Sequence, residues 1–293
     1  MQVAGLLLKS GVNAKLIQTN DGFSLFNLLE VRYFWGHLNM TEDVFTISDD
    51  IWENAKRDLI SRFSGSSRLE ICANIIRDFE ATNPKRKFKS DLEVFIRESR
   101  LEDFIAGNGE TIIVSTIHKA KGKEFDNVFI MLDNYNQGTD EGKRQLYVAM
   151  TRAKQKLTIH LNSTFLDTIS VENMERIHDP DIHLPPNELV MHLTFKDVWL
   201  DYFIHKQPLL SSLTSGDELV ISGYDCLTAT GKPVLKFSQT FQKQLDELKS
   251  KNFELTRAKV NFIIYWLKEG AEQEVKIILP ELHFQRNDPQ QEE

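Results

Sequence analysis

Three short apolar runs in the middle of the chain constrain its fold more than any other feature. They lie at 111–117, 127–132 and 156–161, and a helical pattern from about 140 to 153 separates the last two. Runs rich in β-branched residues, with little polar alternation, are typical of strands buried on both faces of a parallel sheet. The alternation of strand and helix predicts an α/β fold in which the three strands are parallel neighbours.

The residues before these runs predict a different local structure. A helix ends before Gly11, a short strand covers 14–18, and Ser24 caps a helix that reaches Phe34. From about 41 to 107 the pattern is helical, with helix starts at 50–53 and 90–93 that have capping-box spacing. The pattern therefore predicts that this segment is a helical insertion in the α/β domain.

The last third of the chain predicts mostly antiparallel β structure. Strands are expected at 217–222, 233–237, 258–266 and 274–279, with one helix that aligns Phe241, Leu245 and Leu248 on a single face. The predicted domains are 1–40 with 108–170 as an incomplete RecA-like sheet, 41–107 as its helical insertion, 171–194 as a linker, 195–285 as a small barrel-like β domain, and 286–293 as a disordered tail.

Composition limits the location and partners of the protein. The net charge of −8 excludes a uniformly basic surface, although local basic clusters at 85–89, 119–123 and 143–156 still allow nucleic-acid binding. Each cluster alone is more typical of a solvated face. The two cysteines, Cys72 and Cys226, do not suggest a disulfide framework or a cysteine zinc site, and neither a membrane span nor a secretion signal is evident. We expect a cytoplasmic protein.

The most informative segment is 114–125, which reads VSTIHKAKGKEF. A predicted strand ends there in a polar, basic loop, and a glycine in such a loop allows the backbone to approach a ligand closely. Because parallel sheets bind ligands beyond the carboxyl ends of their strands, the segment predicts an anion or nucleotide loop. An exposed basic turn is an equal alternative from these residues alone.

A second informative segment, 143–154, reads KRQLYVAMTRAK on the predicted helix. Leu146, Met150 and Ala153 can face a core, which leaves a polar face on the other side. Arg152 has the planar fork that binds phosphate oxygens in two places. Considered alone, this arginine is more often structural than functional.

Together the two segments resemble adjacent motifs of superfamily 1 DNA helicases of the UvrD/PcrA/Rep type. The resemblance is strong over about 111–161, weaker over 1–38 and absent beyond 190. Lys123 departs from the family pattern, where an apolar residue is usual, and Ala149 stands where Gly is common. The matching positions are Thr116, His118, Ala120, Lys121, Gly122, Glu124 and Phe125 in the first segment, and Arg144, Tyr147, Val148, Thr151, Arg152 and Ala153 in the second.

The resemblance implies two RecA-like motor domains with ATP bound in the cleft between them. At the matched positions, Gly122 and Glu124 would line the nucleotide site, and Glu124 would contact the ribose. Arg152 would be the catalytic arginine finger on the γ-phosphate, and Tyr147 would support the cleft. Thr116 and His118 would contact single-stranded DNA.

The sequence has no phosphate loop of the form GxxxxGK[ST], because Gly122-Lys123, Gly142-Lys143 and Gly231-Lys232 are followed by Glu, Arg and Pro. No metal ligand is predicted in this chain either, so Mg²⁺ would be bound through an N-terminal motor domain. That domain is expected upstream in a longer protein or on another chain, and the start at Met1, inside an apparent helix, favours truncation. The fragment alone is then expected to be inactive.

Two other functions remain open. The chain can be a non-catalytic module that binds DNA or a protein, or the helicase arm of a DNA-repair nuclease. In the C-terminal part, four aromatic residues can stack on bases or fill a small core, and the core interpretation is favoured by their apolar neighbours. These residues are Phe253, Phe262, Tyr265 and Trp266.

Overall fold

The chain folds into two compact units. The larger is formed by Met1–Lys15, Asn20–Ile112 and Pro186–Glu293, and the smaller by Leu16–Thr19 and Ile113–Pro185. The α/β class is confirmed, since the molecule has a small parallel sheet, helices and a separate antiparallel sheet. The computed structural model describes residues 3, 7, 10, 14–16, 23–38, 45–104, 112–117, 120, 122–132, 135, 138–181 and 186–287.

The predicted helical region is present. After a first strand, β1 (Ala14–Leu16), Ser24 caps a helix as predicted, but it is a 3₁₀ helix, η1 (Leu25–Asn27). A separate α-helix begins at Leu29, so the prediction of one helix reaching Phe34 was wrong. The next long helix begins earlier than expected because Ser48 is its N-cap and accepts a hydrogen bond from the Ile51 N–H at 3.3 Å. The helices are α1 (Leu29–His37), α2 (Asp49–Phe63), α3 (Leu69–Thr82), α4 (Lys89–Glu98) and α5 (Leu101–Phe104), and the short strands β2 (Thr46–Ile47) and β3 (Lys87–Phe88) pair antiparallel.

The three predicted strands of the parallel sheet do not form one sheet. They correspond to β4 (Ile112–Val114), β5 (Phe125–Leu132) and β6 (Ala153–Leu161), and helix α6 (Asp140–Met150) lies between the last two. β5 and β6 are parallel neighbours as predicted, but β4 pairs with β1. Grouping β4 with β5 was therefore wrong, since an apolar run indicates burial and does not identify the strand's partner.

The parallel pair is also covered on one face only. Ile130 and Leu132 point towards α6 and pack on Leu146 and Ala149. On the opposite face of β5, Phe129 is 62% exposed and Met131 is also exposed. Ile112 and Ile113 of β4 are exposed too, so the expected burial of both faces was wrong for β4 and β5. Alternation of buried and exposed residues is typical of a sheet with one solvated face.

The C-terminal segment forms an antiparallel sheet of six strands with three helices. The elements are β7 (Glu188–His192), η2 (Leu200–His205), α7 (Gln207–Leu210), β8 (Glu218–Ser222), β9 (Asp225–Leu227), β10 (Pro233–Lys236), α8 (Gln239–Ser250), β11 (Phe253–Trp266) and β12 (Val275–Arg286). The strands lie in the order β10-β9-β8-β11-β12-β7. Helix α8 presents Phe241 to the core, as the apolar spacing predicted.

Two boundaries near this sheet differ from the prediction. Part of the predicted linker forms β7, because Leu189 is buried and the strand pairs with β12. β12 continues through Pro280, which lies opposite a register shift between Val260 and Phe262 where the ladder needs no proline N–H. The last residues of the predicted tail, 288–293, lie outside the described residues.

The helices and the six-stranded sheet share one hydrophobic core, so the compact units divide the chain differently from the predicted domains. Trp52 and Phe79 from the helices belong to the same buried cluster as Ile263 and Ile278 from the sheet. Each layer has one apolar face, and packing the two together removes both from water. The segments 41–107 and 195–285 thus lie in one unit, with residues 20–40.

Buried polar contacts join the same layers. The Glu30 carboxylate on α1 accepts hydrogen bonds from the Ser66 hydroxyl at 2.6 Å and the Ser215 hydroxyl at 3.1 Å. Gly216 has a φ of +106°, and a Cβ there would lie 3.3 Å from the Cβ of Ser67. Both the backbone conformation and the close approach of the two segments therefore favour glycine at this position.

Candidate functional site

The first predicted site segment lies between β4 and β5, where residues 115–117, 120 and 122–124 are described. The carbonyl of Thr116 accepts a hydrogen bond from the Ala120 N–H at 3.2 Å, and the carbonyl of Ala120 accepts one from the Lys123 N–H at 3.1 Å. Gly122 has a φ of +81°, and a side chain built there would meet no described atom within 4 Å. The loop therefore favours glycine for its backbone conformation, and no described residue fills the position that a side chain would take there.

The second segment is the carboxyl end of α6 and the turn after it. Thr139 caps the helix by accepting a hydrogen bond from the Gly142 N–H at 3.1 Å. The helix ends at Met150, three residues before the predicted end, because Ala153 already belongs to β6. Arg152 lies in this turn between helix and strand.

Arg152 connects the two segments. Its Nε donates to the Val148 carbonyl at 3.0 Å, and a terminal nitrogen donates to the Lys123 carbonyl at 3.2 Å. In addition, the Arg152 carbonyl accepts a hydrogen bond from the Phe125 N–H at 2.9 Å. Arg152 therefore lies beside the Gly122 loop, because Lys123 directly follows Gly122.

The guanidinium retains capacity for a further partner. Its other terminal nitrogen donates to the Thr151 hydroxyl at 3.2 Å, so the described contacts use three of its five N–H groups. The residue is partly exposed. A partly exposed arginine held by neutral oxygens keeps its full positive charge available to an anion.

Glu124 and Tyr147 lie on exposed parts of the same unit. The Glu124 carboxylate is 3.8 Å from the Lys154 ammonium, and more than half of each side chain is exposed. An ion pair this exposed contributes little and exchanges readily for another partner. The Tyr147 ring is 69% exposed on α6. The loop and the helix thus present acidic, basic and aromatic groups to solvent.

Of the two residues predicted to contact DNA, the structure describes only Thr116. Thr116 is exposed, and its carbonyl also accepts a hydrogen bond from the Ser115 hydroxyl at 2.9 Å. His118 lies outside the described residues. Across the part of the chain that the structure describes, no group of three or more His, Cys, Asp or Glu side chains is placed to hold a metal ion.

The C-terminal aromatic residues mostly fill the core, as the sequence favoured. Phe253 and Phe262 are buried, whereas Tyr265 and Trp266 are partly buried and pack against the same cluster. The sequence did not single out Lys154, which accompanies Glu124. Its position in the same basic segment as Arg152 was the only signal available.

Comparison with known proteins supports the motif analysis. Residues 33–164 match the family model described as the UvrD-like helicase C-terminal domain. The match covers just under half of the chain and contains both the Gly122 loop and Arg152. A comparison with curated proteins returned no match to this chain.

Proposed function

We propose, from the premise that residues 33–164 are a UvrD-like helicase C-terminal domain, that this chain is part of an ATP-dependent DNA helicase or translocase. Its role is to contribute contacts to the nucleotide cleft and to single-stranded DNA. The observation that carries the proposal is the hydrogen bond from Arg152 to the Lys123 carbonyl, which holds the two motif segments side by side.

The phosphate end of the nucleotide would lie between Gly122 and Arg152. No described atom lies within 4 Å of the position of a side chain at Gly122, and Arg152 has two N–H groups beyond those used by its described contacts. The guanidinium fork suits phosphate oxygens, and its charge would stabilise the negative charge that develops on the γ-phosphate during transfer. Arg152 is accordingly the proposed catalytic residue.

The sugar end of the nucleotide would lie towards Glu124. A carboxylate accepts hydrogen bonds from ribose hydroxyls, and the weak, exposed pair with Lys154 leaves Glu124 free to exchange partners. Tyr147 presents a flat ring on the neighbouring helix and would support the wall of the cleft. Thr116 and His118 would contact the DNA strand.

ATP and Mg²⁺ enter the proposal as ligands of the assembled motor. The residues present fit a nucleotide's γ-phosphate, but the sequence has no phosphate loop to hold the remaining phosphates and Mg²⁺. Mg²⁺ would neutralise phosphate charge during transfer, bound through an N-terminal motor domain that carries such a loop. That domain, on the same longer chain or a separate one, and single-stranded DNA are the proposed partners.

We also propose a cytoplasmic location and a role in DNA repair. Cys72 and Cys226 are both buried and unbridged, which suits a reducing compartment. No helix of the described residues is long and apolar enough to cross a membrane. The repair role follows only from the family resemblance.

A second candidate function has one observation in its favour. All three described side-chain bonds of Arg152 go to oxygens of its own unit, as they would if the arginine only held the loop in place. The chain would then be a non-catalytic module that binds DNA or a protein, alone or as the arm of a repair nuclease.

Reconstitution distinguishes these functions. The chain alone should show no DNA-stimulated ATP hydrolysis and only weak nucleotide binding, because it has no phosphate loop. Joined to a phosphate-loop motor domain of the same protein, it should support hydrolysis that depends on single-stranded DNA. Clear hydrolysis by the isolated chain, lost in Arg152→Ala, would show that no second motor domain is needed. An assembled motor insensitive to Arg152→Ala would support the non-catalytic module.

A further inference from the structure

An exposed aromatic pair lies on the larger unit, outside the residues that match the helicase family. Trp199 is 51% exposed, and its ring lies 6.0 Å from the partly exposed ring of Tyr202, with an angle of 31° between the ring planes. An indole held on the surface is unusual because burying an aromatic ring is strongly favourable. The exposed pair is therefore a candidate binding surface.

Local geometry explains why these rings face outwards. Trp199 directly precedes η2, and Tyr202 lies within it. A 3₁₀ helix has three residues per turn, so residues three apart lie above one another on the same side of the helix. Phe203 is buried and Leu200 packs against the core, so their row faces inwards. Trp199, Tyr202 and the exposed His205 follow at intervals of three on a second row.

The segment that carries the pair is firmly held. The Trp199 N–H donates to the Lys236 carbonyl at 2.8 Å, and Val198 forms a β-bridge with Phe237. At the other end of η2, the Gln207 side chain donates to the Phe203 carbonyl at 2.8 Å. The rings are thus presented on a rigid backbone, which lowers the entropy lost when a ligand binds.

The charges around the rings suit a polyanion. The Lys206 ammonium lies 4.9 Å from the centre of the Tyr202 ring, and Lys196 and His205 are exposed nearby in sequence. The segment has two acidic residues: Asp201 is paired with Lys268 at 2.8 Å, and Asp197 accepts hydrogen bonds from the Thr194 N–H at 2.7 Å and hydroxyl at 2.8 Å. Flat aromatic faces beside cations are the combination that binds unpaired nucleotides, with bases on the rings and phosphates at the cations.

We propose that Trp199 and Tyr202 form a stacking platform for unpaired bases of single-stranded DNA, with Lys206 at the phosphates. The choice of DNA as occupant rests on the proposed function, whereas the exposure of the rings, their backbone hydrogen bonds and the nearby Lys206 ammonium are observed directly. The platform is additional to the proposed contacts at Thr116 and His118. It extends DNA binding to the larger unit.

The test uses the full 293-residue chain and a fluorescent oligothymidylate in an anisotropy titration. Trp199→Ala and Tyr202→Ala should each weaken binding about tenfold or more, the effect expected for losing one base stack. The matched control is Tyr224→Ala, a 40%-exposed tyrosine of the same unit whose hydroxyl donates to Asp246. It should bind as the unchanged chain does, and circular dichroism should show all variants folded.

Two further measurements locate the DNA. Lys206→Met should reduce the slope of log affinity against log salt by about 0.7, the value for one phosphate contact on a single strand. An oligonucleotide with 5-iododeoxyuridine should cross-link on irradiation to the peptide containing Trp199 and Tyr202.

The outcomes separate the platform from the motor. If the chain binds DNA but neither alanine variant weakens it, the platform is overturned and the proposed function stands. Failure of the unchanged chain to bind the oligonucleotide, or Trp199-dependent binding of a proline-rich peptide without an effect on DNA, also overturns the platform. Aromatic-dependent DNA binding and cross-linking in a protein whose assembled motor hydrolyses no ATP would support the platform and refute the motor.

Discussion

The two compact units bury apolar surface to different extents. In the larger unit, aromatic side chains from the helices and aliphatic side chains from the sheet form one continuous core, in which Trp52 packs on Phe34 and Phe79. In the smaller unit, the buried cluster centres on Ile130, Leu132, Leu146 and Ala149. The smaller unit also leaves Phe129 exposed on the open face of its sheet.

This contrast separates the chemistry of the molecule from its stability. The motif residues that resemble the helicase family lie in the smaller unit, and those that the structure describes are exposed or only partly buried. Such residues contribute little apolar burial, which is the main source of folding free energy. We therefore expect substitutions at the candidate site to impair function with little unfolding, and core substitutions in the larger unit to do the reverse.

The largest effect is expected for Arg152→Ala in the assembled motor. Loss of an arginine finger reduces turnover by about 10³–10⁵-fold in phosphoryl-transfer enzymes. Steady-state ATP hydrolysis measures the loss, and thermal unfolding should shift only slightly. Arg176→Ala, an exposed arginine of the same unit outside both motif segments, is the matched control and should stay active. Early melting of Arg152→Ala with normal turnover would make Arg152 a structural residue of the smaller unit.

Trp52→Ala should give the largest loss of stability. The ring is fully buried, and its indole N–H donates to Glu80 at 2.6 Å, so removing it costs about 3–5 kcal/mol of unfolding free energy. Urea unfolding followed by circular dichroism measures this cost. Trp199→Ala should cost less than about 0.5 kcal/mol because that ring is exposed. If Trp52→Ala and Trp199→Ala lose equal unfolding free energy, the assignment of Trp52 to the main core is contradicted.

Leu146→Ala tests the smaller core. We expect a loss of about 2 kcal/mol, the low end for a buried leucine, because a thin core relaxes more readily around a cavity. Phe129→Ala, on the open face of the same sheet, should cost under about 0.5 kcal/mol. Hydrogen exchange of the β5 amides reports on this unit directly. If Phe129→Ala proves as costly as Leu146→Ala, that face is covered in the protein in solution.

The smallest predicted effect is a loss of stability in acid that originates in the larger unit. Glu281 accepts hydrogen bonds from Lys259 at 2.7 Å and His283 at 2.8 Å, and lies 3.5 Å from His192. Burial lowers the pKa of His192, mainly by desolvating its charged form, although Glu281 opposes the shift. Burial alone would raise the pKa of Glu281, but Lys259 and the histidines outweigh it and lower that pKa.

Both lowered pKa values make the folded protein less stable in acid. The unfolded chain protonates His192 at a higher pH than the folded chain, so stability falls as pH drops below about 6.5, the ordinary histidine value. Stability from Glu281 is present above its ordinary pKa and is lost as pH falls below it towards the lowered folded value. Urea midpoints between about pH 7 and pH 4 measure both losses. His192→Gln should remove the loss nearest neutrality, and His160→Gln, in the smaller unit, should retain it.

Many helices and strands could be predicted from the sequence because their starts, ends and buried faces are set by residues close to one another in the chain. The start of α6 follows from Thr139 and the acidic residues after it, and the inward face of α8 follows from apolar spacing. At the candidate site, the same local information identified Gly122, whose positive φ the structure shows. The roles of Gly122, Glu124, Arg152, Tyr147, Thr116 and His118 in binding remain predictions.

The sequence by itself therefore determined the α/β class, most helices and strands, and the two motif segments. Only the tertiary structure decided that β4 pairs with β1, that the helical segment shares a core with the distant sheet, and that Trp199 remains exposed while Phe262 is buried. A strand's apolar pattern shows that it needs a partner, but the identity of that partner depends on long-range packing. For the same reason, whether an aromatic ring is a core residue or a binding surface depends on what the rest of the chain places against it.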